Sequence, residues 1–413
     1  MTRSRATPLP RNVRLLMGMR TARSLGQGAM VAAFALYLHA MGWTGTAIGA
    51  VLMGGLLVGS VLTMAVGPLS DRGRRRAFLI GYDLLQIVAA LVAMFTVTPW
   101  LLVAAAIFGG FGRGANGAAG PFSPVEQAWM SIELPAERRS SVFSRNMALG
   151  FSGMAAGALL AALPAWIMGH ALDVQSYRLL FLLPLLSSLV SLALLLAARE
   201  PRMPPAVKQT EAQAGDRRRE ENRLIGRLAL VNVLNGLAIG LTGPLIAYWF
   251  AVKFHRDLSV IAPGLALGFV LGAFGAMLAS RLARRRGVVH TVVTLRGTGL
   301  LLLAAMPLVP WFWVAMALYV LRGACNRGTI GVRQALTVGL TGAERRGLVS
   351  SVQNISLQIP RAIGPVLGGA LFHAGYLTIP FLIGAVLQGL YLLLYVRFFG
   401  KHPAARAGIV RAS

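Results

Sequence analysis

Acidic residues are scarce in this 413-residue chain: 13 Asp and Glu stand against 40 Lys and Arg, and charged residues of both signs make up only 13%. Soluble globular domains carry roughly 25% charged residues. With 56% hydrophobic residues and a mean hydropathy of +0.66, little polar surface is left to cover a globule of this size in water. An ordinary soluble enzyme is therefore excluded. Cysteine is nearly absent. The single Cys325 rules out an intramolecular disulfide and a thiolate metal site. The six histidines are scattered without metal-binding spacing, so no metal is expected. No nucleophile, metal or acid pair converges in the sequence, so neither an enzyme activity nor a cofactor is expected, and a membrane enzyme is the disfavoured rival. The surplus of base, a formal net charge of +27, raises the question of nucleic acid. The basic residues fall in short clusters between apolar segments and not on one face of a soluble domain, so nucleic acid is not an expected partner.

Long apolar runs are what the chain does have. About 20 apolar residues cross the hydrocarbon core of a bilayer. Twelve such runs lie near 15–40, 46–67, 77–97, 100–120, 146–168, 177–197, 228–251, 259–280, 289–308, 311–332, 350–373 and 377–398. The fourth and tenth are expected to continue as helix toward Leu134 and Leu340. A basic start followed by a full-length apolar segment does not read as a cleavable signal peptide. Of the 40 Lys and Arg, 29 fall in the N-tail, the C-tail and the 2–3, 4–5, 6–7, 8–9 and 10–11 connections. Only Arg178, Lys253 and Arg256 fall on the other side. The positive-inside rule then places both termini in the cytoplasm of a multi-pass inner-membrane protein.

The one long polar stretch, near 199–227, holds Pro201, Pro204, Pro205 and mixed charges, which suits a cytoplasmic linker. It divides the chain into an N-terminal bundle over 1–198 and a C-terminal bundle with a short tail over 228–413. The two halves repeat. VEQAW from 125 and AERR from 136 match VRQAL from 332 and AERR from 343, each at an offset of 207. Arg113-Gly-Ala aligns with Arg322-Gly-Ala at an offset of 209. The expected fold is an all-α membrane protein of 12 transmembrane helices in two six-helix bundles that rock about a midplane site.

Between spans two and three stands GPLSDRGRRR, residues 67–76. It resembles the G-x-x-x-D-R-x-G-R-R loop of the major facilitator superfamily at Gly67, Asp71, Arg72, Arg74 and Arg75, with one residue fewer before the glycine. Arg113-x-x-Asn116-Gly117 resembles the R-x-x-Q-G motif of proton-coupled drug exporters, with Asn in place of Gln. Gly364-Pro365-x-x-Gly368-Gly369 resembles the exporters' GPxxGG motif, carried here in span eleven instead of span five. The resemblance covers nearly the whole chain. It implies two six-helix bundles with inward-facing, occluded and outward-facing states. It also implies a breakable cytoplasmic latch at the 2–3 loop, in which Glu133, together with Glu137, Arg138, Glu344 and Arg345 of the repeated A-E-R-R turns, partners the arginines Arg72, Arg74 and Arg75. Topology and helix capping are the plainer roles for the same residues.

Eight arginines lie within apolar segments: Arg20, Arg23, Arg113, Arg296, Arg322, Arg327, Arg361 and Arg397. Each costs roughly 2.5–3.5 kcal/mol at a helix centre on insertion scales, so each needs a partner, a cavity or an interface to snorkel to. Only Asp83 and Glu126 sit well inside spans as acids, and with Arg113 they are the candidates for proton coupling. Glu126 occupies the repeat position of Arg333, so a structural ion pair is the competing role. Substrate-binding candidates are Arg23, Gln27, Tyr37, Asn116, Asn235, Arg322, Asn354 and Gln358. Gly55-x-x-x-Gly59 and Gly264-x-x-x-Gly268-x-x-x-Gly272 suit close helix packing between the bundles. The expected function is secondary transport of a small organic solute by alternating access, with proton-coupled efflux as the first direction. Uptake of a nutrient, metabolite or organic anion is the alternative. The arginine surplus favours an anionic or neutral cargo over a lipophilic cation. The expected partners are solute, protons and the lipid bilayer, and a monomer is expected.

Overall fold

The computed structural model describes residues 9–70, 75–96, 98–114, 120, 122–200, 215–339 and 346–400. Among these the chain is helical, with α1 (Arg11–Ala40), α2 (Gly45–Ser70), α3 (Arg75–Phe95), α4 (Pro99–Gly109), α5 (Ser123–Glu133), α6 (Ala136–Met168), α7 (Val174–Leu179) and α8 (Leu182–Ala197) in the first half. The second half holds α9 (Gly215–Thr242), α10 (Ile246–Phe254), α11 (Leu258–Arg286), α12 (Val288–Ala305), α13 (Phe312–Gly339), α14 (Arg346–His373) and α15 (Ile379–Phe399).

Nine stretches of the described helices are long and apolar enough to cross a membrane, against the twelve expected. The three that fall short are runs one, four and ten. Of their helices, α1 carries Arg20 and Arg23, α13 carries Arg322, Arg327 and Arg333, and Arg113 lies in the break between α4 and α5. Run four departs most. The expected continuous helix ends at Gly109, turns through Gly110, Gly112 and Gly114 at φ of 61°, 78° and 101°, and resumes as α5 at Ser123. Positive φ is a region that glycine enters without steric cost.

Outward faces are apolar: Val61, Phe95, Leu301 and Leu393 are more than half exposed, as lipid-facing residues would be. Trp100, Trp311 and Trp313 are exposed near helix ends, where amphipathic rings meet the bilayer interface.

Glycines set the closest contacts within each half. A Cβ at Gly153 would strike the Thr21 carbonyl of α1, and one at Gly28 or Gly157 would strike Met154 or Leu25. The repeat-related pair α9 and α14 meets in the same way, Gly236 and Gly240 against Leu357 and Arg361, and Gly364 against Gly240. Gly55 and Gly59 pack on α4 and Arg113, and Gly264 and Gly272 on Met316 and Arg327 of α13. These two stripes thus close helices within each half and not between halves, correcting the expectation.

Between halves, α2 lies along α14 and α6 along α11. The detailed cross-half contacts sit at one end: Gly45 on Gly369, Gly49 on Pro365, the His39 ring on Tyr248, and the Trp166 indole N–H on the Ser259 carbonyl. At that end one buried apolar cluster runs through both halves, from Leu36 and Ala165 to Trp249 and Phe372. Toward the other end the core divides. One cluster belongs to the first half, around Leu16, Leu79 and Trp129. The other belongs to the second half, around Val231, Val292 and Tyr395.

Candidate functional site

Arg23 is buried on α1 and holds two carboxylates at once. Its Nε and Nη2 donate to both oxygens of Asp83 on α3, at 3.0 and 2.9 Å. Its Nη1 donates to Glu126 Oε1 on α5 at 2.7 Å. The Ser191 hydroxyl of α8 completes Asp83 at 2.9 Å. The guanidinium lies over the Phe122 ring, 4.4 Å from its centroid. Arg20, one turn earlier, is close enough to interact electrostatically with Glu126 and Arg23. Four helices therefore meet on one arginine. Such bidentate, charge-assisted bonds are stronger than neutral ones.

The two acids are not equivalent. Asp83 has both oxygens bonded, whereas Glu126 Oε2 is buried with no hydrogen-bond partner among the described residues. Protonating Asp83 would sacrifice at least one of three bonds. A proton on Glu126 Oε2 would sacrifice none.

Beside the cluster lies a cavity of about 50 Å³, lined by Arg23, Gln27, Tyr82, Gln86, Arg113 and Ser187, among others. One water needs roughly 10–15 Å³ by this measure, so the space suits a few waters and not an organic solute. Its wall is the broken stretch between α4 and α5. There Arg113 donates to the Tyr82 hydroxyl at 2.9 Å and to the carbonyls of Gly110 and Gly109 at 3.2 and 3.4 Å. Bending the backbone after Gly109 frees carbonyls that a continuous helix would consume, and Arg113 takes them.

The structure thus brings together Arg23, Gln27, Asp83, Arg113 and Glu126. Tyr82, Phe122 and Ser191, which carry no signal of such a role in their sequence context, complete the group. The other candidates lie apart. Tyr37 is packed between Tyr177 and Phe181, with the Arg178 Nε donating to its hydroxyl at 3.4 Å. Asn235 is buried on α9 with neither amide atom bonded among the described residues. Gln358 accepts from Arg361 at 3.3 Å, and Asn354 is exposed on the same helix. Arg322 is buried on α13, but Arg327 is the residue that repeats the bonds of Arg113, donating to a glycine carbonyl, Gly268, and to a tyrosine hydroxyl, Tyr319.

Of the latch residues, Asp71, Arg72, Arg74, Glu344 and Arg345 lie outside the described residues, as does Asn116. Gly67 falls in α2 and Glu137 in the first turn of α6. Arg138 is half-buried in that same turn. Arg75 opens α3, and its backbone N–H donates to Glu200 Oε1 at 3.0 Å, with that of Arg76 on Oε2 at 3.3 Å. Glu133 accepts from Asn12 at 2.7 Å and from the Trp129 indole at 3.1 Å. Glu200 is therefore a cap on α3 that sequence reasoning missed; a carboxylate at a helix N-terminus is its only signal, and 125 residues separate it from Arg75.

A profile of the Major Facilitator Superfamily matches this chain twice, over residues 16–227 and 228–412. The chain belongs to the Major Facilitator Superfamily. Two Bacillus subtilis relatives, the uncharacterized MFS-type transporters YqjV and YhjO, are 29% identical over 184 and 168 residues, or 45% and 38% of this chain. The chain spans about two fifths of each relative's length, 42% and 39%. Among solved structures, a bacterial homologue of the human lysosomal transporter Spinster, in an inward-facing and unoccupied conformation, superposes with a TM-score of 0.71 at 13% identity. That match covers 94% of this chain and 97% of that one. The D-xylose-proton symporter matches at 0.67 and 15%, over 94% of this chain and 97% of that one. At such identities the likeness is one of fold. The protein is a multi-pass membrane protein of a transporter family.

Proposed function

We propose that this chain is a secondary transporter that moves a small organic solute by alternating access, that protons drive it, and that the direction is export. The halves 1–198 and 228–413 are the moving bodies. The observation that carries the reading is the Arg23–Asp83–Glu126 cluster, in which one buried carboxylate oxygen stands unbonded and Arg23 itself lines a cavity with room for a few waters. A proton arriving on Glu126 Oε2 removes one of the two negative charges that face Arg23, so the bond from Arg23 to Glu126 Oε1 remains but weakens, and with it the tie between α1 and α5. Loss of that proton restores it. A charge change at the junction of four helices biases the balance between two conformations. The same fold carries a proton-driven sugar symporter, so it accommodates this kind of coupling. Export rests on the resemblance of Arg113-x-x-Asn116-Gly117 and Gly364-Pro365-x-x-Gly368-Gly369 to exporter motifs. The competing direction is uptake of a nutrient, metabolite or organic anion.

The test is flux in proteoliposomes under an imposed proton gradient, against a panel of anionic, neutral and cationic solutes. Accumulation on the acidic side supports export by exchange for protons. Accumulation on the opposite side means uptake. Glu126→Gln should abolish gradient-driven accumulation while sparing solute exchange. Full gradient-driven accumulation in that variant would remove Glu126 from the coupling.

A further inference from the structure

The helix α11 has two faces. One carries Gly264, Gly272 and Gly275, where a Cβ would strike Met316, Arg327 and Ala324 of α13, so its neighbour closes that face. The other carries Leu267, Phe274 and Leu278, which are 50%, 61% and 59% exposed. Their spacing puts them on one side of the helix, and large apolar side chains exposed on a spanning helix meet acyl chains. The stripe does not stop at the last leucine. Arg281 and Arg285 continue it, and both are exposed. The helix has 29 residues, about 44 Å at its usual rise, whereas the hydrocarbon core is about 30 Å thick. Its apolar part ends at Ala279, so the turns from Arg281 onward stand at headgroup level, within reach of long, snorkelling side chains.

The charge at this end is one-sided. Arg281, Arg284, Arg285 and Arg286 are all exposed, and Arg284 donates to the Ser280 hydroxyl at 3.3 Å. A helix C-terminus carries roughly half a unit of negative charge, so capping the dipole absorbs little of four positive ones. From Leu258 to Ala343 the sequence has no Asp or Glu, and the next acid, Glu344, is followed directly by Arg345 and Arg346. Glu221 is buried on α9, whose neighbours are α14 and α15. The helix of the other half that packs on α11, α6, opens with Glu137 followed by Arg138, Arg139 and Arg145. Among the described residues these four arginines of α11 form no ion pair. The positive-inside rule accounts for basic residues at this end of the helix. It does not account for the alignment of Arg281 and Arg285 with the apolar stripe.

We propose that this end of α11 binds an acidic phospholipid, its phosphate held by Arg281 and Arg285 and its acyl chains laid along Leu278, Phe274 and Leu267. Guanidinium forks suit phosphate oxygens, and Arg284 and Arg286 add to the local positive potential. Clusters of basic residues just beyond a spanning helix attract anionic lipid in this way. A soluble phosphate would meet the same guanidiniums, but only a lipid also uses the apolar stripe in line with them.

The test uses the full-length protein in vesicles of phosphatidylcholine with a minor share of phosphatidylglycerol. Cys325 is replaced by serine, and Leu278→Cys carries a bimane fluorophore. Brominated phosphatidylglycerol and brominated phosphatidylcholine are compared as quenchers at equal mole fraction. The acidic lipid should quench at least about twofold more, and the excess should shrink at high salt. Arg281→Gln with Arg285→Gln should bring the two lipids level, whereas Arg256→Gln, at an exposed position before the other end of α11, should keep the excess. A bimane at Leu301→Cys, exposed toward the other end of α12, should see both lipids equally. The substituted arginines are exposed, so the variants should keep the parent's thermal midpoint, which is measured alongside. Glycerol phosphate added at constant ionic strength should leave the excess in place; if it abolishes the excess, the site takes soluble phosphate and the lipid assignment falls. Equal quenching at Leu278→Cys by the two lipids, or an excess that survives the double substitution, overturns the site. No flux is measured, so the outcome is independent of the transport reading.

Discussion

Asp83 and Glu126 are both buried acids on the same arginine, yet their bonds give them different duties. Asp83 accepts three bonds from two helices and ties α1, α3 and α8 together. Breaking a buried pair from one side leaves an uncompensated charge and costs about 3–5 kcal/mol. Asp83→Asn should therefore lower the thermal midpoint sharply, whereas Glu126→Gln, which leaves Asp83 on Arg23, should lower it less and show its effect in coupling. Equal midpoints for Asp83→Asn and the parent protein would mean that the fork does not hold the helices. The sequence showed that these acids needed partners, since nothing else of that charge lies inside the apolar runs. It did not show which partners. Arg23 could be read as substrate-binding or as snorkelling toward the interface, because its pairing depends on the rotational register of three helices. Ser191 was illegible for a similar reason: a serine in a leucine-rich helix gives no sign of facing an acid 108 residues away.

At the scale of elements, the broken fourth span departs most from its repeat mate. In the second half the corresponding stretch is continuous in α13, and its arginine bonds the glycine carbonyl of a neighbouring helix, α11. In the first half the chain bends, and Arg113 bonds carbonyls of its own bend. The signal for the break was present. Six glycines stand within 109–120, and several of them need positive φ. Twelve apolar runs concealed it, because hydropathy registers glycine as neutral and an apolar run does not report its backbone. Gly114, at φ 101°, is the most demanding position, and a Cβ there would also press on the Gln27 amide at 2.7 Å. Gly114→Ala should cost about 1–3 kcal/mol in backbone strain. It should also reduce gradient-driven flux by displacing the cavity wall. Gly81→Ala is the control, since a Cβ at that helical position meets nothing within 4 Å. It should be neutral or slightly stabilising, and equal midpoints for the two variants would count against strain in the bend.

The whole molecule is joined at one end and parted in its core at the other. The joined end carries the connections with few basic residues, Arg178, Lys253 and Arg256 among them, and the divided end carries the arginine-rich ones. If the positive-inside rule orients the chain, the described conformation is closed to the outside and faces inward. The orientation is testable with Gln213→Cys in a chain whose Cys325 is replaced: an impermeant thiol reagent should reach it only after the cytoplasmic side is opened. The closed end depends on four small or imino residues at helical spacing, Gly45 and Gly49 on α2 against Pro365 and Gly369 on α14. They let two backbones touch, and a side chain at either glycine of α2 would collide with a carbonyl that cannot move aside without moving its helix. Gly49→Leu should consequently hold the outer end apart and shift the population toward an outward-open state. Tyr248, buried against His39 and Gly45 at this closure, reports it. Tyr248→Cys should react slowly with the reagent added to intact cells, and several-fold faster when combined with Gly49→Leu. Equal rates in the two backgrounds would mean that the glycine contact does not control the outer closure. A faster rate together with lost transport would show that apposition of the halves at this end belongs to the cycle, since a protein that cannot close outside cannot return its site to the cytoplasm.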